Sequence, residues 1–168
     1  MSRAPVTRSE ETALVSIEIA VDPATAFDVF TADVDDWWAR GPRNRFRAPW
    51  AGLMRFEPGV GGRFLEIYDE EAGDIFEVGR IKVWEPGKRL VFDWRLPNFS
   101  PGEITQVEIL FEATGVGTRV TIEHRGWEAL PLAHPARHRL SGRAFGLFKA
   151  GWWGDLLTRF KAEAERKT

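Results

Sequence analysis

Apolar and polar residues alternate with period two along most of this chain and with helical spacing in only two places. Val15, Ile17, Ile19 and Val21 alternate with Ser16, Glu18 and Ala20, the pattern of a half-buried strand. Asp22-Pro23 then predicts a helix start, with aspartate as N-cap and proline in the first turn. Phe27, Phe30 and Val34 follow at helical spacing, and Asp33 to Trp38 predicts a second short helical turn. Residues 39–49, rich in Arg, Pro and Gly, predict a loop. Six strands come next, over Leu53–Glu57, Phe64–Tyr68, Ile75–Trp84, Leu90–Leu96, Thr105–Ala113 and Val120–His124. Turn residues separate them: Gly61-Gly62, Gly73, Glu85-Pro86-Gly87-Lys88, the prolines of residues 97–102, and Gly115-Val116-Gly117.

Residues 127–140 predict a second loop, and residues 141–166 a long helix. Phe145, Phe148, Trp152, Leu156 and Phe160 form the inward stripe of that helix, widened by Trp153, Leu157 and Ala164. Sequential strands imply an antiparallel meander, and the last helix is the one element long enough to cover its apolar face. The expected class is α+β: a curved antiparallel sheet wrapped around a C-terminal helix, with two short helices after the first strand. The expected organisation is a flexible N-terminal segment over residues 1–12 and one domain over residues 13–168.

Composition narrows the chemistry. The 168 residues contain no cysteine, which excludes disulfides, thiolate metal sites and cysteine nucleophiles. A formal net charge of −2 gives no reason to expect nucleic acid as a partner. No apolar run is long enough to span a bilayer, and Met1 to Thr12 lacks the apolar centre of a signal peptide. The expectations are therefore a cytoplasmic protein, no membrane insertion and no cofactor. Eight tryptophans stand against one tyrosine. They fit either a bulky core or a cavity lined with aromatics, and the two readings overlap in a protein wrapped around a hollow.

Several motifs carry a resemblance to a known family. They are Pro23 with Ala26-Phe27, Trp37-Trp38, Gly61-Gly62-Arg63-Phe64, and Gly79-Arg80-Ile81 running into Glu85-Pro86, Lys88-Arg89-Leu90-Val91-Phe92 and Trp94. Gly117 to Ile122 with His124 and Gly126-Trp127, and Gly151-Trp152 in the last helix, complete the set. Over residues 14–165 the chain resembles the START-like (SRPBCC) superfamily, whose helix-grip fold is shared with the birch-pollen-allergen-like proteins. Within it, the chain is most similar to the branch named for the activator of heat-shock protein 90 ATPase. The resemblance implies a helix-grip fold with an internal cavity. It implies no single activity, because members bind lipids, hormones and polyketides, and some catalyse cyclisation or hydrolysis.

Candidate site residues follow from strand phase and from that resemblance. Trp94 is in phase with Leu90 and Phe92, His124 with Val120 and Ile122, and Trp152 lies on the inward helical stripe. Trp38 and Trp127 fall at element ends, where this fold places its cavity mouth. These five residues and Phe111 are the expected pocket lining. His124 reads either as a general base or as a core histidine satisfied by a backbone carbonyl. His134 and His138 are four apart, but Pro131 and Pro135 interrupt the segment, so a solvated loop is expected there rather than a metal site. The run Asp33, Asp35, Asp36 reads as a solvated helix end. Arg63, Arg80 and Arg119 read as outer-face ion-pair partners, although an arginine could instead hold a ligand carboxylate. Gly142, Gly146, Gly151 and Gly154 would each weaken a helix by about 1 kcal/mol, which suggests close backbone approach or room for a ligand.

The expected function is binding of an apolar or amphipathic small molecule in the cavity, as a carrier or sensor. The alternatives are an enzyme of the polyketide cyclase or hydrolase type using His124, and a co-chaperone-like or homodimeric interaction module using Arg40 to Trp50 as an exposed recognition loop.

Overall fold

A computed structural model describes residues 8–167. Residues 1–7 of the segment expected to be flexible lie outside the described residues. Residues 8–12 make specific contacts: Arg8 pairs with Glu123 at 3.3 Å, and Glu11 with Arg137 at 2.8 Å.

The elements run β1 (Ala13–Ile19), α1 (Pro23–Ala32), α2 (Val34–Trp37), β2 (Leu53–Phe56), β3 (Arg63–Asp69), β4 (Asp74–Glu85), β5 (Arg89–Trp94), β6 (Thr105–Ala113), β7 (Thr118–Arg125) and α3 (Gly142–Arg166). Two single 3₁₀ turns, Trp127–Ala129 and Pro135–Arg137, interrupt the loop before α3. The strands form one antiparallel sheet in the order β1-β7-β6-β5-β4-β3-β2. It is a meander whose last strand pairs back onto the first.

Register carries the apolar phase across the sheet. Leu90, Ile109, Ile122 and Val15 lie in one row, and Phe92, Val107, His124 and Ala13 in the next. A constant register with period-two side chains keeps every member of a row on one face. Irregular pairings in β3 with β4, and in β4 with β5, bend the sheet into a curl. The bend needs Gly79: a Cβ there would lie 1.7 Å from the Asp93 carbonyl oxygen.

Asp22 caps α1 by accepting from the Thr25 backbone N–H at 3.1 Å, with Pro23 in the first turn, as the sequence predicts. The concave face of the sheet is covered by α3 along β1 and by α1 and α2 at one end. The interior is filled chiefly by rings. Trp37, Trp38, Trp94, Trp127 and Trp153 are fully buried, with Phe27, Phe30, Phe64, Phe92, Phe145 and Phe160 among them.

The inward stripe of α3 differs from expectation at one position. Phe148 turns outward and is 42% exposed, while Lys149 takes the inward place between Phe145 and Trp152. Residues 145, 149, 152, 153 and 156 keep the i, i+3/i+4 spacing that faces the sheet, and 148 falls to one side of it. Two α3 glycines differ in kind. A Cβ on Gly146 would lie 2.5 Å from the Glu10 carbonyl oxygen and 3.1 Å from that of Thr12, whereas one on Gly151 would meet nothing. Gly146 is thus where the helix backbone presses against the chain leading into β1. Gly146→Ala should therefore cost about 1–3 kcal/mol by overpacking. Gly151→Ala should stabilise by about 0.5–1 kcal/mol through helix propensity. Urea denaturation of both variants measures the pair.

Candidate functional site

A cavity of about 390 Å³ opens at the end of the sheet where the loop after α2, the end of β5, the loop before α3 and α3 itself converge. Phe46, Trp50, Trp94, Leu96, Phe148 and Trp152 supply its apolar walls. Three non-glycine residues among those described have left-handed backbone, Trp50 (φ 69°), His138 (φ 51°) and Arg139 (φ 60°). The first two line the cavity, so local backbone strain collects at its rim.

The loop between α2 and β2 is held by Arg45. Its guanidinium is fully buried and donates to the carbonyls of Ala39 (3.1 Å), Trp38 (2.7 Å) and Gly52. It also pairs with Asp35 at 3.0 Å and approaches Glu66 to 3.8 Å. Asp35 in turn accepts from the Met54 N–H at 2.9 Å, and Glu66 from the Phe46 N–H at 3.1 Å and the Tyr68 hydroxyl. Burial lowers the Arg45 pKa, against the raising effect of Asp35. Asp35 is thus no freely solvated helix end. Glu66 is wholly buried, and the segment read as an exposed recognition loop turns Arg45 and Phe46 inward while Arg40, Pro42, Arg43, Arg47, Ala48 and Pro49 stay exposed.

The loop before α3 is built in the same way. Buried Arg137 donates to the carbonyls of Trp127 (3.2 Å), Leu130 (3.1 Å) and Leu140 (3.5 Å) and pairs with Glu11. His134 is not solvated, contrary to expectation. Its Nδ1 accepts from the Ala136 N–H at 3.1 Å, and its Nε2 donates to Glu103 at 3.1 Å. No group of three or more potential metal ligands occurs among the described residues.

The six expected pocket residues separate. Trp94 and Trp152 stand in the cavity wall, and Trp152 is fixed by an N–H donated to the Arg43 carbonyl at 2.9 Å. Trp38 packs behind them, its ring 6.2 Å from that of Trp94 and 6.0 Å from that of Trp152, with its N–H on the Asn44 carbonyl. Trp127 lies behind the wall against Phe145 and His124. Phe111 is away from the cavity, packed on Phe27 and Phe30 of α1.

His124 is wholly buried, and both ring nitrogens are engaged. Nδ1 accepts the Trp153 indole N–H at 3.0 Å, which leaves the proton on Nε2. Nε2 donates to Thr105 Oγ1 at 2.8 Å, and that hydroxyl donates to the Trp94 carbonyl at 3.3 Å. Burial, with the charges of Lys149 and Arg125, holds the His124 pKa well below its ordinary value. It is a structural histidine satisfied by side chains rather than by a backbone carbonyl, and neither nitrogen is free to take a substrate proton. Arg63, Arg80 and Arg119 pair with Glu57, Glu77 and Glu18, partly or largely in solvent.

Sequence reasoning missed Lys149. It projects from α3 into the cavity wall with 8% exposure, its Nζ 4.0 Å from the ring centre of Trp152, 5.3 Å from that of Trp127 and 5.6 Å from that of Trp94. No carboxylate among the described residues pairs with it. Burial pushes its pKa down to about 7. The available signal was a lysine four residues after Phe145 and three before Trp152, a polar interruption of an apolar stripe.

A helix held in a curled antiparallel sheet, with an aromatic cavity at one end, defines a protein of the helix-grip class. The chain belongs to the family described as Activator of Hsp90 ATPase homolog 1-like protein, whose model matches residues 21–165. Among solved structures, it is similar to MLL2253 from Mesorhizobium loti, at 22% identity and a TM-score of 0.63 over 94% of this chain and 98% of that one. It is also similar to the Aha1 dimer from Colwellia psychrerythraea, solved in solution, at 15% identity and 0.62 over 92% and 96%. DynU16, from the dynemicin biosynthetic locus, matches at 20% and 0.60 over 92% of this chain and 47% of its own. At these identities the likeness shows the fold. No curated protein matches the chain. No described helix is long and apolar enough to cross a membrane.

The lone lysine gives a pH signature. Between pH 7.5 and 9.5 the unfolded chain binds a proton at residue 149 that the folded protein has largely lost, so stability rises with pH. The contribution approaches about 1.4 kcal/mol per pH unit. Subtracting the urea-derived stability of Lys149→Met from that of the wild type at each pH should reveal this slope.

Proposed function

We propose that the protein binds an apolar, aromatic-bodied small molecule in this cavity, as a carrier or sensor. The observation that carries the reading is the cavity itself. Its volume of about 390 Å³ suits a small ligand, and Phe46, Trp50, Trp94, Phe148 and Trp152 give it aromatic walls between loops held by two buried-arginine networks. Trp94 and Trp152 would contact the ligand, with Trp38, Trp127 and His124 keeping their rings in place. Phe111 would contribute to the core alone. A cytoplasmic location goes with this reading.

The enzyme alternative has one outside support, the biosynthetic locus of DynU16. It loses the base it requires, because His124 has no free nitrogen. The co-chaperone alternative rests on the family's name, and two of the side chains its loop would offer, Arg45 and Phe46, are buried.

Native mass spectrometry of gently purified protein should show a bound mass that leaves on unfolding. Trp152→Ala should weaken uptake of an apolar probe about tenfold or more in calorimetry, as for a central aromatic anchor. Wild-type protein that carries no such mass and takes up no apolar probe would remove the reading.

Self-association into a homodimer is part of the same proposal, supported by the Colwellia dimer and by exposed Leu14 and Leu147, which line one surface depression. Sedimentation velocity should show a concentration-dependent shift toward a dimer, and a constant monomer across that range would exclude it.

A further inference from the structure

Resting on the reading of this cavity as a ligand site, we infer that its occupant is a monoanion, an aromatic or apolar carboxylic acid whose carboxylate is held by the Lys149 ammonium. Three independent observations converge on this. First, the sixteen lining residues include no aspartate or glutamate, whereas Arg43, Arg45, His138 and Lys149 are all among them. The lining therefore offers cationic side chains and no carboxylate of its own.

Second, the two lining arginines already have anionic partners. Arg43 pairs with Asp155 at 3.2 Å in solvent, and Arg45 is consumed by Asp35 and three carbonyls. Lys149 is the lining lysine or arginine that has no carboxylate partner and no hydrogen bond among the described residues. It is surrounded by indole faces. An ammonium enclosed this way is costly without a counter-charge, and rings offset only part of that cost. A ligand carboxylate supplies the missing partner through a charge-assisted hydrogen bond.

Third, the rings around the ammonium bring it no protein acceptor. The indole N–H groups of Trp94 and Trp127 are themselves buried with no acceptor, so no protein oxygen is shared among these side chains. The ammonium asks for an anionic oxygen, and the aromatic side chains of the wall ask for an apolar body. One unpaired cation, rather than two, favours a carboxylate over a phosphate dianion.

The lysine could be read instead as a nucleophile, whose neutral amine would add to an aldehyde carbonyl and expel water to leave an imine. No hydrogen bond joins Nζ to an acid or a base among the described residues, which weighs against that step, since carbinolamine dehydration needs a proton donor at the departing oxygen.

The test uses a matched set of probes on full-length protein: 2-naphthoate, 2-naphthalenemethanol and 2-naphthaldehyde. In calorimetry at pH 6.5, naphthoate should bind about tenfold or more tighter than the alcohol, as a charge-assisted pair requires. Lys149→Met should abolish that preference while still binding the alcohol, which shows that the cavity is intact. If the methionine variant binds neither probe, Lys149→Gln, similar in length but uncharged, should lose the preference in the same way. Equal affinity of wild type for acid and alcohol would overturn the inference and leave the cavity reading standing. Binding of none of the probes would overturn both. A preference for naphthoate that survives in the methionine variant would overturn the role of Lys149. A borohydride-stable adduct of 2-naphthaldehyde on Lys149, with naphthoate no tighter than the alcohol, would overturn the inference in favour of the imine.

Discussion

A cavity walled by loops can exist only if the loop carbonyls it buries find donors, and here two guanidiniums supply them. Neither the segment after α2 nor the one before α3 has a sheet ladder or a long helix to consume its peptide groups. Arg45 gathers three carbonyls from one segment, and Arg137 three from the other. Each then passes its charge to a carboxylate from elsewhere in the chain, Asp35 or Glu11. Planar, permanently charged and many-donored, arginine is suited to this task in a way that lysine is not. Both sides of the cavity thus depend on buried ion pairs, and removing either partner would leave an isolated charge in the interior.

The interior holds two titratable side chains that meet opposite conditions. His124 has a donor at one nitrogen and an acceptor at the other, so it links α3, β6 and β5 through Trp153, Thr105 and Trp94. Its neutrality is part of the packing. Lys149, one turn before Trp153, has only ring faces around it. A satisfied histidine and a lysine without a hydrogen-bond partner thus stand within one aromatic cluster.

Most of the fold was legible in the residues because period-two alternation and turn chemistry agreed along β3 to β7. The register rows then confirm the phase: Leu90, Phe92 and Trp94 point inward with Ile109, Val107 and Thr105. The cavity was less legible because loops made it. No periodicity reveals that Arg45 and Phe46 turn inward, or that Glu66 leaves the solvent to receive the Phe46 N–H. These placements depend on contacts distant in sequence. The exchange of Phe148 for Lys149 on α3 has a different cause. Hydrophobicity favoured the phenylalanine, whereas the helical angle favoured the lysine, and angle prevailed.

The tryptophans form a near-continuous row. Trp37 and Trp38 are 5.6 Å apart, Trp38 and Trp94 6.2 Å, Trp94 and Trp152 5.8 Å, and Trp152 and Trp153 5.0 Å between ring centres. At such separations an electronic excitation passes from indole to indole before it can be emitted. Light absorbed deep beside α1 is therefore shared with rings at the cavity edge, and the protein fluoresces as a cluster rather than as separate residues. A molecule seated against Trp94 and Trp152 would perturb the emission of the whole row while touching only two of its rings, which makes the aromatic core a built-in optical antenna for the cavity.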